Sequence, residues 1–167
     1  MTPHVILLEM KKVLHNLDGW LAKASAHAEA KKFDPAVLVQ TRLSPDMFPF
    51  ARQVQTACDT AKLAAARLTG KEAPSHPDTE TTFAELSARI AKVTAYLDTF
   101  TANDFAGVES RTVSLPRWEG KSMTALDYFV EHAIPNFFFH ATTAYAILRH
   151  SGVDIGKRDF LGPLTLR

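Results

Sequence analysis

Apolar residues recur along the chain at alternating spacings of three and four, the pattern of amphipathic helices that turn one face toward their neighbours. The first such stretch begins at Thr2-Pro3, where a hydroxyl can cap free N–H groups and proline is favoured at the first helical position. Its apolar positions are Leu7, Met10, Leu14, Leu17, Leu21, Ala24 and Ala28. The spacing predicts one long helix over these residues.

Two further stretches have the same spacing. The second follows Ser44-Pro45, another cap-and-proline pair, and ends at Gly70, where a helix C-cap is expected. Its apolar positions are Phe50, Val54, Ala57, Ala61, Ala64 and Leu68, and the alanines indicate close helix approach. After a charged linker at 71–80, which we expect to be solvated, Thr82 and Glu85 match a capping box. That box opens a third helix with apolar positions Phe83, Leu86, Ile90, Val93, Leu97 and Phe100.

The last helix is predicted from about Met123 to His150. Its inward positions by spacing are Leu126, Val130, Ala133, Phe137, His140, Ala144 and Ile147. Pro135 interrupts the helix on the outward side, where a kink is tolerable. Before this helix, residues 110–123 alternate apolar and polar side chains, with a turn expected at Glu119-Gly120. This pattern predicts a short extended segment or hairpin that covers one end of the helices.

Four long amphipathic helices predict an all-α fold, a four-helix bundle formed by a single domain over residues 1–167. Hydrophobic residues make up 46% of the chain and charged residues 22%, which fits a chain with a real core and excludes wholesale disorder.

Charge and cysteine content narrow the class of protein. Nineteen basic and 18 acidic side chains give a net charge of +1 with no basic segment, so we expect no nucleic-acid partner. No apolar run approaches the roughly 18 residues of a membrane span, and the apolar N-terminal stretch precedes its lysines, the reverse of a signal peptide. Cys58, the single cysteine, cannot form an internal disulfide. We therefore expect a cytoplasmic protein without a membrane partner.

The inward position of His140 is the strongest chemical signal. A buried imidazole without a partner would cost about 1–3 kcal/mol, so a polar neighbour is expected. Asn136 and Thr143 flank the same face of the last helix, and Gln53 flanks the facing positions of the second. These four residues predict a ligand pocket inside the bundle, with His140 as the candidate general base. The alternative, which spacing alone favours, is a core histidine whose hydrogen bonds serve only packing.

The remaining histidines point to no further site. His132 is expected to be exposed beside Glu131. The chain has no H-E-x-x-H motif, and no two histidines stand four residues apart, which excludes a helical zinc site of that design.

The outward face of the last helix is also apolar, since Phe138 and Phe139 point away from the inward positions. A helix that is apolar on most sides must be covered on most sides. Residues 110–123, the C-terminal segment 159–164 or a second subunit could provide the cover. We expect a homodimer with the last helix at or near its interface.

Three stretches of the chain, RLSPDMFPFARQVQTACD (42–59), TFAELSARI (82–90) and IPNFFFHATTAYAILRHSGV (134–153), resemble a bacterial family of uncharacterised proteins within the DinB/YfiT-like superfamily. The resemblance implies a four-helix bundle, commonly dimeric, with a divalent metal held by three histidines in many members. Some relatives in that superfamily are thiol-dependent transferases or hydrolases.

The last helix carries part of the superfamily motif H-x-x-x-H-x-x-Q followed by L-R-x-x-G. The matching residues are His140, Leu148, Arg149 and Gly152. Asn136 stands at the first histidine, Thr143 at the glutamine, and Gln53 most nearly at the histidine expected on the second helix. One of three metal ligands is thus retained, and amide oxygens are poor zinc or nickel ligands. No cofactor is certain, and the resemblance implies at most a divalent metal with His140 as one ligand.

Three functional hypotheses follow. In the first, a DinB-like bundle with a degenerate metal site binds a small ligand, or catalyses a reaction, in the pocket around His140. In the second, the protein is a metal-dependent enzyme of the thiol transferase or hydrolase type that uses His140 as a ligand. In the third, it is a non-catalytic structural or interaction bundle.

Overall fold

Four long helices form the protein, which a computed structural model describes over residues 2–166. Three of them are α1 (Pro3–Lys31), α3 (Phe50–Thr69) and α4 (Phe83–Leu97). The fourth is a composite of α5 (Ala125–Asp127), a π-helical segment (Tyr128–Ala133) and α6 (Ile134–His150). Two short helices, α2 (Ala36–Gln40) and α7 (Lys157–Leu161), lie in the connections. The predicted all-α bundle is confirmed, and no helix of residues 2–166 has the length and apolar character that crossing a membrane requires.

Local signals account for most helix ends. The Thr82 hydroxyl accepts a hydrogen bond from the Glu85 amide at 3.2 Å, and the Glu85 carboxylate accepts one from the Thr82 amide at 3.0 Å, which is the predicted capping box. α3 ends at Gly70, whose φ of 75° suits glycine. The predicted helix start at Ser44-Pro45 is wrong, because α3 begins at Phe50. Pro49 explains the delay, since a residue that precedes proline avoids the helical conformation.

The predicted hairpin before the last helix is also present. β1 (Thr112–Ser114) pairs antiparallel with β2 (Ser122–Thr124), with Val113 opposite Met123. The turn between the strands contains Pro116–Trp118 in a 3-10 conformation, and Glu119 and Gly120 have positive φ. The hairpin therefore projects Arg117 from a short rigid turn.

α3 is the central helix, because it packs against α1, α4 and the last helix. Its contact faces are rich in alanine, and four of these alanines are fully buried: Ala57, Ala61, Ala64 and Ala65. Small side chains let helix axes approach closely. Polar side chains that flank this interface can therefore reach across it.

The π-helical segment changes which residues of the last helix face the core. In a π turn each backbone hydrogen bond spans five residues instead of four, so the side chains rotate relative to α-helical spacing. Val130 is 62% exposed, which makes its predicted inward position wrong, while Tyr128 and Phe129 are buried. Pro135 lies two residues after the end of the segment. In a regular α-helix its ring would clash with the carbonyl of residue 131, and the wider turn relieves that clash.

The C-terminal segment covers part of the last helix. Phe160 stacks on Trp20 with ring centroids 5.5 Å apart and meets Tyr145 edge-on at 5.7 Å. The Trp20 indole N–H donates to the Asp159 carbonyl at 3.1 Å. Phe139 stays 55% exposed, so the outward face of the helix is covered only in part.

A buried arginine ties the linker 71–80 to the bundle. Arg89 on α4 is 2% exposed, and its guanidinium lies within 2.9 Å of Asp59, 3.0 Å of Asp78 and 3.1 Å of Glu80. Lys62 adds a contact to Asp59 at 2.7 Å. The linker expected to be solvated is thus held at Asp78 and Glu80 by a charge on α4.

Replacing Arg89 by methionine should lower the free energy of unfolding by about 3–5 kcal/mol, because three carboxylates lose a buried counter-charge. Urea unfolding followed by circular dichroism measures the change. Lys12→Met is the matched control, since Lys12 pairs with Glu9 on the surface of α1 and should change stability far less. Equal losses in the two variants would contradict the structural role of Arg89.

Candidate functional site between α3 and the last helix

Three side-chain hydrogen bonds cross from α3 to the last helix, and we call this set the α3–α6 seam. The pairs are Gln53 with His140 at 2.7 Å, Thr60 with Asn136 at 2.7 Å, and Arg67 with Tyr128 at 2.8 Å. Residue numbers rise on α3 as they fall on the last helix, so the two helices run antiparallel along the seam. Each pair joins polar groups that would otherwise be unsatisfied between packed helices.

The first pair fixes the orientation of His140. The Gln53 amide nitrogen donates to the Phe48 carbonyl at 3.0 Å, which turns the Gln53 amide oxygen toward His140. Since that oxygen can only accept, the His140 Nδ1–H is the donor and Nε2 carries the lone pair of the neutral ring. An imidazole held in one tautomer by a neighbour is arranged as a general base requires.

His140 is 8% exposed and lies under two aromatic rings. The ring of the exposed Phe48 is stacked on the imidazole with centroids 6.5 Å apart. The Phe139 ring meets the imidazole edge-on, with centroids 5.2 Å apart. Burial lowers the pKa of His140 below its ordinary value, and the positive charge of Arg52 lowers it further. The ring is therefore neutral at neutral pH.

The side chains of the other two residues of the predicted pocket form hydrogen bonds elsewhere, not with His140. The Asn136 amide nitrogen donates to the Thr60 hydroxyl, one helical turn away from the His140 pair. The Thr143 hydroxyl donates to the Phe139 carbonyl of its own helix at 2.7 Å and offers no bond across the interface. Of the four predicted residues, the structure joins His140 and Gln53 and places Asn136 in the adjacent pair.

A cleft of about 330 Å³ opens over the Thr60–Asn136 and Arg67–Tyr128 pairs of the seam, and we call it the seam cleft. α3, the last helix and the turn of the hairpin line it. Its polar lining includes Asp59, Thr60, Arg67, Arg117, His132 and Asn136. Leu63, Leu115 and Pro116 give it an apolar side. Asn136 is the one member of the predicted pocket that lines this cleft.

His132 is half-buried in this cleft, so the prediction that it is exposed is wrong. Its ring stacks on Tyr128 with centroids 5.4 Å apart, and its Nε2 contacts the Arg117 guanidinium. Because arginine only donates, Nε2 accepts and the neutral ring carries its proton on Nδ1. That Nδ1 is buried without a hydrogen-bond partner among residues 2–166.

The charges around His132 are positive. Burial lowers the pKa of His132, and Arg117 from the hairpin and Arg67 from α3 lower it further. The Arg67 guanidinium also lies 5.4 Å from the centre of the Tyr128 ring, a cation–π contact. Two guanidinium groups from different elements thus converge on one neutral histidine.

The donor set does not fit a transition metal. Of the three positions that the resemblance aligns with superfamily histidines, only His140 offers an imidazole lone pair, on Nε2. The other two are amides that are already bonded, Gln53 to Phe48 and His140, and Asn136 to Thr60. Residues 2–166 contain no group of three His, Cys, Asp or Glu side chains placed to hold a metal ion. Cys58 adds no thiolate ligand, because burial raises its pKa to about 12.

Among the residues of this site that sequence reasoning missed, regular intervals mark four: Thr60, Arg67, Tyr128 and His132. On α3 the seam residues Gln53, Thr60 and Arg67 are spaced by seven. On the last helix the polar positions 128, 132, 136 and 140 are spaced by four. These two polar stripes, each of constant period, were the sequence signal that could have indicated polar pairing between the two helices.

Comparison with known proteins agrees with this fold. The model of one protein family, described as a domain of unknown function (DUF1993), matches residues 4–161. The crystal structure of a DinB family member from Shewanella denitrificans superposes with a TM-score of 0.93 and is 51% identical in sequence. That match covers 96% of this chain and 92% of the other. No curated protein matches the chain.

A double-mutant cycle on Gln53 and His140 should show strong coupling. Gln53→Leu and His140→Phe each leave a buried polar partner unpaired, which should lower the free energy of unfolding by about 1–3 kcal/mol. The double variant should lose less than the sum of the two, by about 0.5–3 kcal/mol. The control cycle pairs Gln53→Leu with Thr94→Val, whose hydroxyl bonds only to its own helix, and should be additive. Additivity in both cycles would contradict the seam.

Acid should destabilise the protein in part through His132. Because the pKa of His132 is lowered in the folded state, the unfolded state binds the proton more tightly. The free energy of unfolding is therefore unaffected by protonation of His132 above about pH 6.5 and decreases as the pH drops below that value. Protonated His132 also cannot accept from Arg117. The loss in free energy of unfolding between pH 7.5 and 5.5 should be smaller in His132→Gln than in the natural protein. Urea unfolding at both values measures it, and equal losses would refute the assignment.

Proposed function

The chain belongs to the DUF1993 family and has the DinB-like fold expected from its sequence, and we propose that it binds a small organic molecule in the seam cleft. The observation that carries this proposal is a cleft lined by polar groups from three elements, one of which, His132, has a buried Nδ1 without a hydrogen-bond partner among residues 2–166. Its volume of about 330 Å³ falls at the small end of the range of ligand sites, roughly 300–1,000 Å³.

The hydrogen bonds of the seam fix the side chains that form one wall of this cleft. Thr60 and Asn136, which bond each other, line the cleft, and Arg67 and Tyr128 close the seam at its far end. Side chains that are already held by a hydrogen bond lose little entropy when a ligand arrives. The predicted pocket residues then divide into two roles: Asn136 contacts the ligand, while Gln53 and His140 support the seam one turn away. Thr143 bonds only to its own helix.

Proton transfer by His140 is the second candidate function. The Gln53 amide donates to the Phe48 carbonyl and accepts from His140 Nδ1, which orients a neutral imidazole as a general base requires. Because His140 does not line the seam cleft, this role needs a substrate bound beside the ring itself, and His140→Gln should abolish its conversion while ligand binding in the cleft is retained.

The donor chemistry weighs against a metal-dependent enzyme, since two amides stand where the superfamily has histidines. Elemental analysis of protein purified without an affinity tag decides this alternative. Stoichiometric metal that disappears in His140→Ala would favour a metalloenzyme over the proposal made here.

The homodimer expected from the sequence stays a prediction, supported by the exposed apolar side chains of Val130 and Phe139 on the last helix. A non-catalytic interaction bundle would use the same face. Sedimentation at micromolar concentration decides between monomer and dimer, and neither result bears on the seam cleft.

Filling the seam cleft should abolish ligand binding without unfolding the protein. The ligand is sought by titrating ¹⁵N-labelled protein with pooled metabolites and following amide shifts around the cleft. Leu63→Trp places a large side chain in the cleft and should remove those shifts. The matched control is Ser87→Trp, which fills a depression of about 270 Å³ beside α1 and α4 and should leave them unchanged. If a ligand still binds the Leu63→Trp variant, its binding site is not the seam cleft.

A further inference from the structure

Three side chains with unused hydrogen-bond donors converge at the hairpin end of the seam cleft. Arg67 comes from α3, Arg117 from the hairpin turn and His132 from the π-helical segment. Arg67 and His132 both contact Tyr128, and Arg117 contacts His132, so the three lie around one point. Each contact uses only one of the N–H groups that either guanidinium carries.

The positive charge at this point is not compensated by the described part of the chain. Neither Arg67 nor Arg117 forms an ion pair with a carboxylate of residues 2–166. Asp59 is the one acidic residue among the lining residues. The Asp59 carboxylate already lies 2.7 Å from the Lys62 ammonium and 2.9 Å from the Arg89 guanidinium. These two cations do not line the cleft, and they neutralise the charge of Asp59.

His132 adds a neutral donor to the two charges. Its Nε2 accepts from Arg117, so the Nδ1–H is left over, buried and without a protein partner among residues 2–166. A buried donor without an acceptor is unfavourable. The Arg67, Arg117 and His132 side chains at this end therefore carry two positive charges and no negative one.

We propose that the seam cleft binds the carboxylate or phosphate group of a small organic anion between Arg67 and Arg117, an inference that rests on the proposed function above. The planar guanidinium groups can each give two parallel N–H bonds to such a group. Leu63, Leu115 and Pro116 form the apolar side against which the organic part of the ligand lies. The volume of about 330 Å³ accommodates a small metabolite and excludes a polymer.

The test uses four probes that share a phenyl ring and differ in the charge of their polar group. Benzoate and phenyl phosphate carry the two anionic groups, whereas benzamide and benzyl alcohol are neutral. Each is titrated into ¹⁵N-labelled protein in a phosphate-free buffer, with shifts read at amides around the cleft. Both anions should bind at least about tenfold more tightly than the neutral probes, because charge-assisted hydrogen bonds are roughly twice as strong as neutral ones. The ratio of benzoate to phenyl phosphate affinity assigns the preferred group.

Two variants locate the anion. Arg67→Gln and Arg117→Gln should each weaken binding of the preferred anion at least about fivefold and leave benzamide unchanged. Arg117 lies on a surface turn, so its replacement does not threaten the fold even if Arg67→Gln does. Arg149→Gln removes an equal charge from an exposed position outside the cleft and is the matched control.

The outcomes separate this inference from the proposed function. If benzamide shifts the cleft amides at the same concentration as benzoate, or if Arg149→Gln weakens the anions as much as Arg117→Gln, the anion assignment is overturned and ligand binding in the cleft stands. If no probe and no pooled metabolite shifts any amide around the cleft, the proposed function fails as well.

Discussion

The close packing of α3 against the last helix is the constraint on which the rest of the structure depends. Alanines such as Ala57 and Ala61 are fully buried on α3, and small side chains let its neighbours approach so closely that little water can enter between them. Polar side chains at the edge of such an interface must find partners on the facing helix, because an unpaired buried group is costly. The three hydrogen bonds of the seam are the consequence, and the seam cleft opens over two of them.

The π-helical segment keeps the polar stripe of the last helix in line. A step of four residues rotates by about 40° beyond a full turn in an α-helix, since a turn takes 3.6 residues. Four such positions in a regular helix would drift around its surface. The segment Tyr128–Ala133 has wider turns, which offset the drift, so Tyr128 and His140 both reach α3 although three helical steps separate them.

The sequence was informative where the deciding interactions are local. Thr82 and Glu85 identify a helix start because a capping box involves only four residues, and the spacing of apolar residues placed His140 inward. Val130 was misassigned because spacing assumes α-helical geometry, and a π segment has no composition of its own. The contact between Arg117 and His132 depends on how a hairpin lies on a helix, a long-range relation that no periodicity encodes. Gln53 could be placed near His140, whereas its hydrogen bond to Phe48 could not be foreseen.

Asp59 lies in the wall of the seam cleft and also faces Arg89, which holds Asp78 and Glu80 of the linker. The electrostatic potential inside the cleft is therefore set partly by a surface loop that does not line it. If an insertion or a proteolytic cut lifted that loop, Arg89 would lose two of its three acidic neighbours and turn its charge toward Asp59. Residues 71–80 thus contribute to the charge balance of the cleft wall although they lie outside it.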